Sequence, residues 1–217
     1  MILAAGQGKR LLPLTRTIPK PLLQVNGKSL IERHIERLVS SGFHEIVINL
    51  FHLGDQIESR LGDGRNLGAE ITYVKEAALL ETGGGITNAL EYLGDDNFVV
   101  VSSDVYSDYE FSDLPDSLGP GLLGHLVMVD NPVHHPEGDF TISHHGRLAH
   151  DGNRLNWSGI AILSTRLFSG LEVARFPLRK LLDSAVDRGL LTGEYFSGFW
   201  LNVDTLERYE WLQSMRD

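Results

Sequence analysis

The stretch Met1–Leu22, MILAAGQGKRLLPLTRTIPKPL, starts as an apolar strand, runs into two glycines, then Lys9 and Arg10, and reaches a proline-framed lysine at position 20. A Walker A loop needs Gly-Lys-Ser/Thr, and here Gly8-Lys9 is followed by Arg10. A dinucleotide fingerprint needs a third glycine where Leu11 stands, and an acidic residue after a second strand, which the chain lacks. What remains is a glycine turn whose backbone N–H groups can approach an anion, with a guanidinium able to grip phosphate oxygens as a fork. The plainer reading is a tight strand-to-loop turn with two exposed cations. Pro19-Lys20-Pro21 tips the balance toward a site, because flanking prolines restrict the backbone that carries the lysine.

Outward from this stretch, short apolar runs alternate with helical periods. Residues 1–5 read as a buried strand, and 29–39 put Leu30, Ile31, His34, Ile35, Leu38 and Val39 on one helical face ended by Gly42. A strand at 45–50, a short helix around 55–61, a strand at 70–74, a helix starting near Gly85 and a strand at 97–101 continue the rhythm. This predicts an α/β fold with a doubly wound, mostly parallel mixed sheet flanked by helices, and ligands at the carboxyl ends of its strands. The second half has strand candidates at 122–129, 140–143 and 157–163, and a turn at His145-Gly146 that predicts a small projecting hairpin lobe. Helices are expected over 177–188, capped by Gly189, and from Thr205 onward, where 207–211 read as packed and amphipathic. No repeat or linker divides the chain, so residues 1–217 are expected to form a single domain.

Composition narrows the function classes. The 217 residues are 42% hydrophobic with a formal net charge of -10, which argues against nonspecific binding to nucleic acid or acidic membranes; any phosphate must be met by a local cluster. There is no cysteine, and no apolar run approaches the roughly 20 residues of a membrane span, so a soluble cytoplasmic protein is expected. A monomer is expected rather than an oligomer. His134-His135 and His144-His145 do not predict a zinc site, since adjacent side chains on extended chain point to opposite faces.

LAAGQGKRLLPLT followed by PKPLL resembles the signature of the sugar-1-phosphate nucleotidylyltransferases, L-A-A-G-x-G-x-R-hydrophobic-x-P-L-T then P-K-P. LETGGGI at 80–86, DNPVHHPEGDF at 130–140 and FWLNVDTLERY at 199–209 resemble the short bacterial N-acetylmuramate-1-phosphate uridylyltransferases within that family. The resemblance spans nearly the whole chain. It implies a Rossmann-like nucleotidyltransferase fold with a nucleotide-binding half over 1–105 and a sugar-binding half over 106–217. The implied reaction is attack of a sugar-1-phosphate oxygen on the α-phosphorus of a nucleoside triphosphate, releasing pyrophosphate. Such a step rests on positioning and charge neutralisation. UTP and N-acetylmuramate 1-phosphate, in peptidoglycan recycling, are the expected substrates. A mannose- or glucose-1-phosphate nucleotidylyltransferase and a non-catalytic nucleotide-binding regulatory homologue are the alternatives.

The resemblance also implies residue roles. Leu3, Ala4, Ala5, Gly6 and Gly8 would cradle the nucleotide, Arg10 would hold the leaving pyrophosphate, and Lys20 would neutralise the phosphates brought together. Glu76 and the Glu81-Thr82-Gly83 turn would meet the base; Asp104 would bind magnesium. Gly138 and Asp139 are candidates for sugar contacts, with Trp157 and Trp200 as pocket walls or as core. Two departures stand out. Many relatives read W-x-D-x-G-T near the end, whereas this chain reads Trp200-Leu201-Asn202-Val203-Asp204-Thr205. Asn202 then holds the second metal-ligand position without a charge, and Asp204 would compensate if both lie on one strand face. Several relatives also use a second lysine after the central hairpin, yet none lies between Lys75 and Lys180; Arg147, Arg154 and Lys180 are the replacements on offer. Relatives often carry a few residues ahead of the first strand, so an internal start or a trimmed end is expected at Met1.

Overall fold

The computed structural model describes residues 1–215. Seven strands form the main sheet among the described residues: β1 (Ile2–Leu3), β2 (Glu45–Leu50), β3 (Glu70–Lys75), β4 (Asn97–Ser102), β5 (Gly124–Val129), β6 (Asn156–Ser164) and β7 (Leu191–Tyr195). Their spatial order is β7-β5-β6-β4-β1-β2-β3. All neighbours pair parallel except β6, which runs antiparallel to both β4 and β5. The sheet is therefore mostly parallel and mixed, as the alternation predicts. β7 was not anticipated: the run LTGEY carries an interior glycine and a glutamate, a weak strand signal, and its place is set by pairing with β5.

Alternation along the strands sends consecutive residues to opposite faces. Leu3, Val47 and Val100 join one core with Ile86, Leu178 and Leu182, while Ile2, Ile48 and Val101 join the other with Ile31, Ile35 and Ile57. Helices α1 (Leu30–Ser40) and α2 (Gly54–Leu61) supply the second core, and α3 (Glu81–Ala89) and α4 (Arg179–Asp187) the first. α1 begins with a capping box in which Ser29 and Glu32 satisfy each other's backbone N–H groups. A third, smaller core unites Leu11, Leu23, Val25 and Leu30 with Val203 and with Leu212 of α5 (Leu206–Ser214). It fastens α5 to the opening loop.

α3 starts at Glu81, four residues before the start expected at Gly85. Three successive glycines disguise the helix, and each is there for a close approach. An added Cβ would lie 2.3 Å from the Phe176 ring at Gly83, 2.0 Å from the Ala174 carbonyl oxygen at Gly84, and 2.7 Å from Asn49 Nδ2 at Gly85. The expected hairpin is present as Thr141–Ile142 paired with Leu148–Ala149. A second ribbon pairs Val105–Ser107 with Trp200–Asn202, opposing Asn202 to Val105 and bringing Val203 beside Asp104.

Candidate active site

β1 lies between β2 and β4, with Leu3 opposite Asn49 and Ser102, so three strands end together where the winding of the sheet reverses. A cavity of about 270 Å³ opens there, lined by Leu3, Ala5, Gly6, Gly8, Lys9, Arg10, Lys20, Pro21, Asn49, Leu79, Glu81, Thr82, Ser102, Ser103, Asp104 and Asp204. A larger cleft of about 490 Å³ at the opposite ends of the strands has Glu45 and Asp116 on its wall and no lysine or arginine, which suits no phosphate ligand.

The opening loop is shaped by its own side chains. Gly8 has φ 60, the left-handed region, and a Cβ there would lie 2.7 Å from Thr15 Cγ2. Its carbonyl accepts bonds from Leu11 N–H (2.9 Å) and Thr15 Oγ1 (2.8 Å). Leu11, which spoils the dinucleotide fingerprint, is fully buried in the third core. Downstream, Lys20 opens a one-turn 3-10 helix between its two prolines, and its Nζ sits 2.6 Å from Asp104 Oδ2. The lysine side chain is 11% exposed and the aspartate 25%. A nearly buried ammonium requires an anionic partner, and Asp104 supplies it while keeping an edge on the cavity. Asp104 sits in the turn after β4, and its carbonyl accepts from Val203 N–H at 2.8 Å.

A buried polar chain ties the loop to α3. Ala4 N–H donates to Asn49 Oδ1 (2.9 Å), Asn49 Nδ2 to Glu76 Oε1 (2.7 Å), and Leu80 N–H to Glu76 Oε2 (2.9 Å). Each Glu76 oxygen therefore accepts a bond from inside the protein, and the residue is not among those lining the cavity. The carboxylate fixes the turn that carries Glu81 and Thr82, the segment also expected to meet the base. Gly83 likewise gives its N–H to the Phe176 carbonyl (3.0 Å), and Thr82 Oγ1 accepts from Leu178 N–H (2.8 Å). Glu81 pairs with Arg175 at 2.9 Å.

The expected sugar contacts lie outside the cavity wall. Asp139 meets Arg179 (2.5 Å) and His135 (3.4 Å) and accepts from Trp157 N–H (2.8 Å), so its carboxylate is engaged in holding α4 and β6 together. Gly138 packs against the Arg154 backbone. Trp157 Nε1 donates to Ile160 O and Trp200 Nε1 to Ser158 O, at 3.0 and 2.9 Å. His134 turns to Arg208 and His135 to Asp139, in separate directions. Asp204 lies past the end of its strand, in a turn where its N–H donates to the Asn202 carbonyl (3.0 Å), so strand alternation does not relate the two side chains. Its carboxylate carries Arg10 and Arg208.

Sequence reasoning missed Asn49, Ser102 and Ser103. Asn49 and Ser102 are polar residues near the carboxyl ends of strands with apolar interiors, and Ser103 follows directly on Ser102, a signal that the rule on strand ends makes available.

The match to the nucleotidyl transferase family model covers residues 1–118. The chain belongs to that family. An N-acetylmuramate alpha-1-phosphate uridylyltransferase of Neisseria meningitidis serogroup B is 42% identical over 223 residues, spanning 99% of this chain and 96% of its own. A mannose-1-phosphate guanyltransferase of Saccharomyces cerevisiae is 29% identical over 228 residues, spanning 94% of this chain and 60% of its own. Among solved structures, HddC from Yersinia pseudotuberculosis superposes with a TM-score of 0.80 at 24% identity, covering 98% of this chain and 96% of that one, a likeness of fold. This nucleotidyltransferase has no helix long and apolar enough to cross a membrane among its described residues.

Proposed function

We propose that the cavity transfers a uridylyl group from UTP to N-acetylmuramate 1-phosphate, giving the UDP-sugar and pyrophosphate. The similarity to the Neisseria uridylyltransferase over 99% of the chain carries this reading. Backbone from Leu3 to Gly8 cradles the triphosphate; Arg10, at the mouth, takes the distal phosphates that leave. Lys20 neutralises the phosphates brought together, so that the sugar-phosphate oxygen can approach the α-phosphorus as the bond to pyrophosphate breaks. The wall formed by Glu81 and Thr82 faces the base.

Asp104 lines the cavity and Asn202 lies in the ribbon beside it, and both carry oxygen donors of the kind magnesium takes. Asn202 Oδ1 is buried with no hydrogen-bond partner, and Asp104 offers the carboxylate that such an ion takes alongside phosphates and waters. When bound, the ion would offset phosphate charge; Asp104 and Asn202 would hold it. A cysteine-free chain suits the reducing cytoplasm, and the substrate pair belongs to peptidoglycan recycling.

Pyrophosphate release measured across UTP, dTTP, GTP and CTP with a panel of sugar 1-phosphates tests the proposal. UTP with N-acetylmuramate 1-phosphate is expected to give the highest kcat/KM. Preference for GTP with mannose 1-phosphate overturns the substrate assignment, and nucleotide binding without release in any combination overturns catalysis.

A further inference from the structure

Asp204 is the one cavity-lining carboxylate that is wholly buried: its side chain is 1% exposed, against 25% for Asp104 and 34% for Glu81. One of its oxygens lies 2.6 Å from Arg10 Nη1 and the other accepts from Arg208 Nη1. Arg208 in turn meets His134 Nδ1 at 2.5 Å. The aspartate is anchored on both sides in sequence, by the fully buried Val203 before it and by Thr205 after it, whose hydroxyl caps α5 through Arg208 N–H. The Arg10 side chain, by contrast, is 66% exposed.

A carboxylate flanked by two guanidiniums is a poor ligand for a further cation but a good mount for one of them. An arginine has five N–H donors in a fixed fork, so a single contact to Asp204 leaves the rest for another anion. We propose that Asp204 is a positioning residue that holds the Arg10 guanidinium at the cavity mouth for the distal phosphates of the nucleotide, with Arg208 balancing its second oxygen. This rests on the reading of the cavity as a nucleoside triphosphate site. The side-chain freedom that an exposed arginine otherwise loses on gripping phosphate is already lost in the empty protein.

The test is calorimetric binding of UTP and of UMP with chelator present, so that no metal contributes. Asp204→Asn is expected to weaken UTP binding about tenfold, the scale of ordering one long side chain, and to leave UMP binding unchanged, since UMP lacks the distal phosphates. In an Arg10→Ala background the same substitution is expected to cost nothing further. In turnover, kcat/KM for UTP falls by at least as much, with KM for the sugar 1-phosphate unchanged. Equal weakening of UMP and UTP overturns the proposal, as does an undiminished loss in the Arg10→Ala background. A shifted magnesium midpoint with unchanged UTP affinity overturns it in favour of a metal-ligand role. Should asparagine at 204 fail to fold, Arg10→Lys at the exposed position keeps the charge without the fork; an unweakened UTP affinity there is equally fatal. A wild-type protein that binds neither UTP nor pyrophosphate removes the functional reading itself, and this inference with it.

Discussion

Replacing Gly84 with alanine probes how the cavity wall is built. In an ordinary helix interior this change stabilises by about 1 kcal/mol, because alanine gives up less backbone freedom. At position 84 the new Cβ would sit 2.0 Å from the Ala174 carbonyl oxygen and 3.0 Å from Leu80 Cβ. The first obstacle is backbone. Reaching an unstrained C···O separation of about 3.3 Å makes the segment 174–176, which crosses α3, retreat by roughly 1 Å. That retreat stretches the bonds from Gly83 and Gly84 N–H to the Phe176 carbonyl, now 3.0 and 3.1 Å. Overpacking costs roughly 1–3 kcal/mol and weakened backbone bonds up to about 1 kcal/mol each, so strain outweighs propensity. The expected outcome is a loss of about 2 kcal/mol in urea unfolding with unchanged slope, together with a raised KM for UTP as Glu81 and Thr82 shift. An alanine variant as stable as the wild type, or more stable, refutes the close approach on which this account of the triple glycine depends.

Asn202→Asp adds a charge at the orphaned buried oxygen and is expected to lower the magnesium concentration for half-maximal turnover; an unchanged titration counts against Asn202 as a ligand. His34, 5% exposed on α1, has its pKa lowered to about 4 by burial. Its folded value lies below the unfolded one, so the unfolded chain binds the proton first and stability falls as pH drops from about 6.5 toward 4, by about 3 kcal/mol in all. Urea unfolding at pH 7 and 4.5 checks this; His34→Leu is expected to flatten that part of the difference, and an equally steep fall in the variant contradicts it.

The fold was legible because its two periodicities are clean: apolar runs such as residues 45–50 and 97–101, and the helical face from Leu30 to Leu38, admit one arrangement. The cavity was legible where one short motif carries it, as in Gly8, Arg10 and Lys20. What escaped depends on distant partners. Nothing in the sequence near Glu76 says that Asn49 and Leu80 N–H will consume its oxygens, and nothing near Asp139 announces Arg179. The expectation that Asp204 shares a strand face with Asn202 failed because the strand stops at Asn202 and the chain turns. Propensity misled at α3, where glycines set by the close approach of Ala174, Phe176 and Asn49 look like a loop.

The central claim is that nucleotidyl transfer takes place around the Lys20–Asp104 pair. Pyrophosphate release from UTP and N-acetylmuramate 1-phosphate by Asp104→Ala, compared with wild type at matched circular dichroism, tests it most directly. The expected result is a folded protein whose kcat/KM falls by at least about 10²-fold, the scale of losing one centre that stabilises charge. Turnover near the wild-type rate would contradict it.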